Sequence, residues 1–262
     1  MKFSLSYSCS VLRIIVFFVL FQPLTTMAIV NMDSLHFSDT EGRFTSDIDL
    51  TVSGASGNTD SFNMALNSQF SWISRKSINL AIFGHEYGET SDLRNINKTF
   101  MHYRNINNIE HDLDWEVFTQ LEKNEFTRLS YRGLVGVGLR YSVFKSDTHH
   151  AYFGAGGFYS AEKTEFTQGL TDYGKEELVR ANLYYFSKYK ISDNLSFSNA
   201  LYYQPDVSYF NDFRALLDSK LDFTIHKNMS FRLTLEVEHD SEPSQTVERT
   251  DIQYMTGIKY HF

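Results

Sequence analysis

The sequence predicts an all-β fold, a closed antiparallel barrel of about twelve strands with a polar interior. Three observations predict it. Apolar and polar residues alternate with period two along most of the chain, helical periodicity is nearly absent, and short turns alternate with longer polar connections.

The chain opens differently. Lys2 and Arg13 lead into the apolar run Ile14 to Phe21, and Thr26-Met27-Ala28 places small or modest residues where a signal peptidase reads. This pattern predicts a secretory signal peptide over residues 1–28. A single membrane anchor is the alternative, but the uncharged stretch from Ile14 to Ala28 falls short of the ~20 residues a spanning helix needs. The only cysteine, Cys9, precedes the apolar run, so the chain does not read as a lipoprotein, and the exported protein has no disulfide, thiol nucleophile or cysteine metal site. Residues 29–44 read as a periplasmic lead-in and 45–262 as the barrel.

Losing Lys2 and Arg13 with the leader takes the formal charge from -8 to -10, which does not suit a nucleic-acid partner. No later apolar segment approaches the length of a spanning helix. Aromatic residues make up 16% of the chain, and Pro205 and Pro243 are the only prolines after the leader, a composition that favours strands.

Strands are expected near Ser46 to Gly54, Asn58 to Trp72, Ser77 to Gly88, Asn95 to Asn107, Asp112 to Glu122 and Arg128 to Phe144. Six more are expected near His149 to Ser160, Leu178 to Lys190, Asn194 to Gln204, Asp212 to His226, Asn228 to His239 and Arg249 to Phe262. The fifth sets Leu113, Trp115, Val117, Thr119 and Leu121 against Asp114, Glu116, Gln120 and Glu122; the last sets Ile252, Tyr254, Ile258, Tyr260 and Phe262 against Asp251, Gln253, Lys259 and His261. Charges on one face of successive strands do not make a sandwich core. They fit a barrel in a membrane, whose apolar face meets lipid and whose backbone must close on itself because hydrocarbon offers no hydrogen bonds.

The connections agree. Ser74 to Lys76, Asn108 to His111, Lys145 to Thr148, Ile191 to Asp193 and His226 to Asn228 read as short periplasmic turns. Glu162 to Glu177, Pro205 to Asn211 and Asp240 to Glu248 read as outer loops, with the tight Gly54 to Asn58 turn as an exception. Trp115, Tyr131, Tyr141, Tyr185, Tyr203 and Tyr260 are candidates for the aromatic girdles at the membrane surfaces. The glycines at 133, 136, 138, 154, 156 and 157 point to bends or close packing in the wall. Ile258, Tyr260 and Phe262 form a terminal signal similar to the one that barrel-assembly machinery reads in outer-membrane proteins.

Ser56-Gly57-Asn58-Thr59-Asp60, Trp115 through Phe118, Glu122 and Phe126 to Arg132, Gly136-Val137-Gly138-Leu139-Arg140-Tyr141, Gly154 to Tyr159, Asp240 to Pro243 and Tyr260-His261-Phe262 occur in a telling order. Together they resemble a domain-of-unknown-function family of salt-induced outer-membrane proteins, over nearly all of the chain after the leader. The resemblance implies an outer-membrane location and a link to salt or osmotic stress. It carries over no set of catalytic or binding residues, and Arg140 stands where the pattern favours glycine.

Function is therefore expected from the inward face. Asp114, Glu116, Glu122, Arg132, Arg140, Arg180, Lys188, Asp218, Lys220, Asp222, Arg232, Glu236, Glu238, Asp251 and Lys259 are the expected lumen-lining residues. They suit a narrow or gated pore tuned by rings of charge, or a closed structural barrel filled by paired charges. Arg132 and Arg140 are expected to form a ladder with Asp114, Glu116 and Glu122 on the preceding strand. An outer-rim hydrolase using His85-Glu86 or His239-Asp240 is the minor alternative; no Ser-His-acid set is discernible. His149-His150 makes a poor metal site because neighbours on a strand point to opposite faces. No cofactor is expected. Outer-membrane lipid and lipopolysaccharide are the expected partners, the latter through divalent cations bridging to Glu86, Glu89, Glu125, Glu162, Glu165, Glu176, Glu177, Asp240 and Glu242; plain solvated charge is the blander reading of those acids.

Overall fold

A computed structural model describes residues 43–57 and 60–262; the expected signal peptide and nearly all of the lead-in lie outside the described residues. Twelve strands follow in chain order: β1 (Arg43–Ala55), β2 (Ser61–Ile73), β3 (Ser77–Thr90), β4 (Leu93–Glu110), β5 (Leu113–Asn124), β6 (Leu129–Lys145), β7 (His149–Thr164), β8 (Gly174–Ser192), β9 (Leu195–Pro205), β10 (Phe213–His226), β11 (Met229–Asp240) and β12 (Thr250–His261). Each pairs antiparallel with its neighbour in sequence, and β1 pairs with β12 to close the barrel.

Burial is the reverse of a water-soluble sheet. Along β5 the side chains of Asp114, Glu116, Phe118, Gln120, Glu122 and Asn124 are buried, while Trp115 and Leu121 are exposed. In a single closed layer a buried side chain points inward, so the inner face carries the charges and the outer face the large apolar groups. Trp115, Tyr131, Tyr141, Tyr203 and Tyr260 all stand exposed on that outer face.

The interior is not uniformly polar, contrary to the expected simple division of faces. Ile73, Ile78, Leu80, Ile82 and Ile106 form one buried cluster with Phe100 beside it, and Tyr152, Tyr184, Phe186, Ala200, Tyr202 and Leu216 form a second. Glycines make room for the inward rings. A Cβ on Gly154 would lie 2.0 Å from the Tyr184 ring, and one on Gly136 would lie 2.3 Å from Phe118. Aromatic rings lying across the inner wall thus account for Gly136 and Gly154, whereas Gly156 sits where the β6 backbone comes close, a Cβ there falling 2.2 Å from Val137 O.

The two ends differ. At one end every hairpin turns tightly, as where Ser74 N donates to Ser77 O at 2.8 Å. The other end carries the longer segments 165–173, 206–212 and 241–249. The expected loop between Gly88 and Asn95 is instead a two-residue turn at that end: β3 and β4 run on to Thr90 and from Leu93, joined by Ser91 (φ 51°) and Asp92 (φ 63°). Two successive positive φ values match the twist of a hairpin, and short polar side chains tolerate them.

Candidate functional site

Three linked groups of charge occupy the interior. On β4 to β6, Arg140 Nη2 donates to Asp114 Oδ2 at 2.8 Å, and its guanidinium lies 4.6 Å from the Tyr152 ring centroid. Arg104 Nη1 donates to Glu116 Oε2 at 3.0 Å, while the Tyr184 hydroxyl donates to Glu116 Oε1 at 2.9 Å. Since Tyr184 belongs to β8, that hydrogen bond crosses the interior from β5. His102, Gln120 and Glu122 continue the chain upward through contacts of 3.2 Å and 3.3 Å.

A second crossing lies nearer the long-loop end. Arg132 donates to Glu162 through Nε at 2.8 Å and Nη2 at 2.5 Å, with Glu122 at 3.4 Å from its Nη1. Arg214 reaches from β10 to the same Glu162 on β7 at 3.3 Å and pairs with Asp240 at 3.0 Å. Arg180 holds Asp212 through both carboxylate oxygens at 2.9 Å and 2.8 Å. Outside the strands, Arg128 ties two loops together, donating to Asp172 at 2.7 Å and to the carbonyls of Glu165 and Gln245. In the loop after β9, the Ser208 hydroxyl and the Ser208 and Tyr209 amides hold the Asp206 carboxyl below its ordinary pKa.

The third group lies between β10–β12 and β1–β4, where the crossings leave space. A cavity of about 100 Å³ there is lined by Asp47, Asp49, Glu86, Asp218, Glu236 and Glu238 against Lys98, Lys220 and Arg232. Six acids and three bases thus face it, and Lys259 reaches one of the acids, Asp47, from outside the wall. Arg232 bridges Asp49 and Asp222, each at 2.6 Å, Lys259 lies 3.1 Å from Asp47, Lys220 3.3 Å from Asp218 and Lys98 3.7 Å from Glu238.

Of the residues expected inside, Asp114, Glu116, Glu122, Arg132, Arg140, Arg180, Asp218, Arg232, Glu238 and Asp251 are buried; Lys188, Lys220, Asp222, Glu236 and Lys259 are half-buried. Lys188, opposite His150, stands apart from the three groups. The expected β5–β6 ladder is broken in the middle. Arg140 meets Asp114 and Arg132 meets Glu122, but Gly138 stands opposite Glu116, which turns to Arg104 on the other side. Three acids expected to be loop charges belong to the interior: Glu162 and Asp240 are buried in ion pairs, and Glu86 lines the cavity. For Glu162 and Asp240 the strands extend further than the expected ends, whereas Glu86 lies within the expected third strand, on its inward parity. Lys98, Arg104 and Arg214 face the interior as well and are absent from the expected lumen set, although period two along β4 and β10 places them inward.

The histidine-acid neighbours separate. Glu86 and Asp240 face inward, whereas His85 bonds to Thr99 Oγ1 at 2.9 Å and His239 to Thr250 Oγ1 at 2.8 Å. Among the described residues no group of three His, Cys, Asp or Glu is placed to hold a metal ion. Ile258, Tyr260 and Phe262 are exposed on the outer face, with the last two rings 4.5 Å apart, and Phe262 N donates to Ser46 O at 2.9 Å.

Residues 48–262 match the family model described as a protein of unknown function, DUF481. The chain belongs to this family. No curated protein matches it. Among solved structures it is similar to the NanC porin, with a TM-score of 0.51 and 10% identity over 82% of this chain and 98% of that one. A KdgM porin in complex with disordered oligogalacturonate gives 0.43 and 13% over 84% and 99%. The translocator domain of the autotransporter NalP from Neisseria meningitidis gives 0.44 and 8% over 84% and 87%. At these identities the likeness concerns the fold, a closed porin-type barrel.

Proposed function

We propose that this DUF481 protein spans the bacterial outer membrane and acts as a narrow, cation-preferring pore. The membrane reading is supported by the outer face, where Leu121, Val135, Val137, Leu139 and Tyr141 are at least half exposed, a belt that water would not tolerate and lipid accommodates. The pore reading rests on one observation: the interior space beside the two crossings has six carboxylates and three bases on its wall. Fixed negative charge in a constricted path concentrates cations and repels anions. The crossings narrow that path, so conductance is expected to be small.

The test is a charge-neutralised pair. Asp47→Asn with Glu236→Gln should move the reversal potential in a KCl gradient toward that of a non-selective pore; an unchanged potential removes the acidic cavity from the ion path. A closed structural barrel is the second reading, favoured by the Tyr184–Glu116 and Arg214–Glu162 bridges, and it requires no current from a folded, inserted protein.

The salt-stress role implied by the family resemblance belongs to this proposal as well. It predicts impaired growth of a deletion strain in high salt, reversed by the intact gene and not by a variant that does not insert. Recognition of the Phe262 terminus by assembly machinery is a further part of it.

A further inference from the structure

The barrel closes through β1 and β12, and their ladder stops short. Paired residues are Asp47↔His261, Ile48↔Tyr260, Asp49↔Lys259 and Leu50↔Ile258. Both strands continue toward the long-loop end, β1 to Ala55 and β12 back to Thr250, each still paired with its other neighbour. Carried on, the register would set Val52 opposite Thr256 and Ser53 opposite Met255, but the two strands part before those rungs. Exposure follows the split. Ser53 and Ala55 share the inward parity of Asp49 and Thr51 and are nevertheless exposed, and Tyr254 is 75% exposed.

The fork lies at Gly257. A Cβ there would sit 2.5 Å from Thr51 Oγ1 and 3.1 Å from Leu50 O, so the strands still touch at that level. Thr51, Met255 and Gly257 also line the acidic cavity, which therefore lies directly behind the split. In hydrocarbon, strand edges that do not meet are costly unless water from the interior or a ligand reaches them. The outer lips are mainly apolar, formed by Val52 on β1 and by Ile252, Tyr254 and Thr256 on β12, while Asp47, Asp49 and Glu236 stand in the cavity within. Apolar lips before an acidic chamber match a molecule with a hydrocarbon tail and a cationic head.

We propose that the split between β1 and β12 is a lateral portal through which a membrane-borne cationic amphiphile places its headgroup in the acidic cavity. The proposal rests on the membrane reading above and adds a ligand class and an entry route. The tail stays along the outer lips, where it replaces lipid contacts, and the head exchanges water for the carboxylate-rich wall. An anionic head of the same length meets repulsion at the same place.

The protein is reconstituted in phosphatidylcholine vesicles with one bimane-labelled cysteine, since residues 43–262 contain none of their own. At Met255→Cys, a nitroxide-labelled long-chain quaternary ammonium should quench more strongly than an ionised nitroxide fatty acid, by roughly fivefold, the ratio set by about one partly solvated charge interaction. At Tyr254→Cys, on the outer face, both should quench. Shielding at Met255→Cys with quenching at Tyr254→Cys overturns the portal, and equal quenching by the two probes at Met255→Cys overturns the cationic preference. Absence of quenching at Tyr254→Cys takes down the membrane reading and the portal with it. Disulfide formation provides a second measurement. Leu50→Cys with Ile258→Cys should oxidise readily, as directly opposed rungs allow, and Ser53→Cys with Met255→Cys should remain reduced; equal oxidation of the two pairs shows a continuous ladder and refutes the split.

Discussion

Arg132→Ala is the sharpest perturbation of the charged interior. The residue is 3% exposed and donates twice to Glu162 and once, at 3.4 Å, to Glu122. Removing one partner of a buried ion pair costs about 3–5 kcal/mol, because the remaining charge is left without compensation. Here compensation is partial. Glu162 keeps Arg214 at 3.3 Å and Glu122 keeps Gln120 at 3.3 Å, so the loss should fall to or below the lower end of that range, about 2–3 kcal/mol. Urea unfolding in lipid vesicles gives the value, followed by the fluorescence of Trp72 and Trp115, the chain's two tryptophans, both on the outer face where insertion brings them into lipid. Glu162→Gln in the Arg132→Ala background should add less than it does alone, since its partner has already gone. A loss below about 0.5 kcal/mol, within the range of an ordinary surface substitution, or strict additivity of the two changes, would refute the view that this bridge holds the barrel.

A tag between Thr167 and Tyr173, in the segment joining β7 to β8, should be reachable on intact cells, and one between Lys145 and Thr148 should not; the reverse labelling inverts the orientation. Deleting Phe262 should lower the inserted fraction, read as heat-modifiable gel mobility, because it removes an exposed ring and the amide that donates to Ser46 O. His261→Ala should affect insertion less, since its ring turns to Asp47 at 2.6 Å; equal losses contradict the assigned faces. Gly154→Ala should destabilise by about 1–3 kcal/mol, as its Cβ would lie 2.0 Å from a Tyr184 ring held between Tyr152 and Tyr202, and an unchanged urea midpoint shows that the ring has room to move.

Much of this fold is legible in the sequence because a barrel in lipid follows one simple rule. Each strand such as β5 sets apolar side chains at every second position, a pattern no helix produces, and the even number of strands long enough to cross a membrane, joined by alternating short and long connections, separates the barrel from a soluble sheet. The rule weakens where the interior is itself apolar. In β4 the inward Phe100 and Ile106 and the outward Thr99 and Asn105 blur the alternation, so Lys98 and Arg104 do not stand out. Tyr184 likewise reads as an ordinary strand aromatic until Gly154 on the neighbouring strand is seen beneath its inward ring. The interior positions of Glu162 and Asp240 depend on strand ends, which period two does not fix within a few residues. The crossings from β5 to β8 and from β7 to β10 join residues three strands apart around the barrel, and local patterning carries no information about such pairs.

On the proposed function a folded, inserted barrel passes small cations beside the two interior crossings. The most direct measurement is the current of the purified protein in a planar bilayer under a KCl gradient, with insertion verified by heat-modifiable mobility on the same preparation. A small conductance with a reversal potential on the potassium side is the predicted result. Anion preference, or no current from protein shown to be inserted, contradicts it.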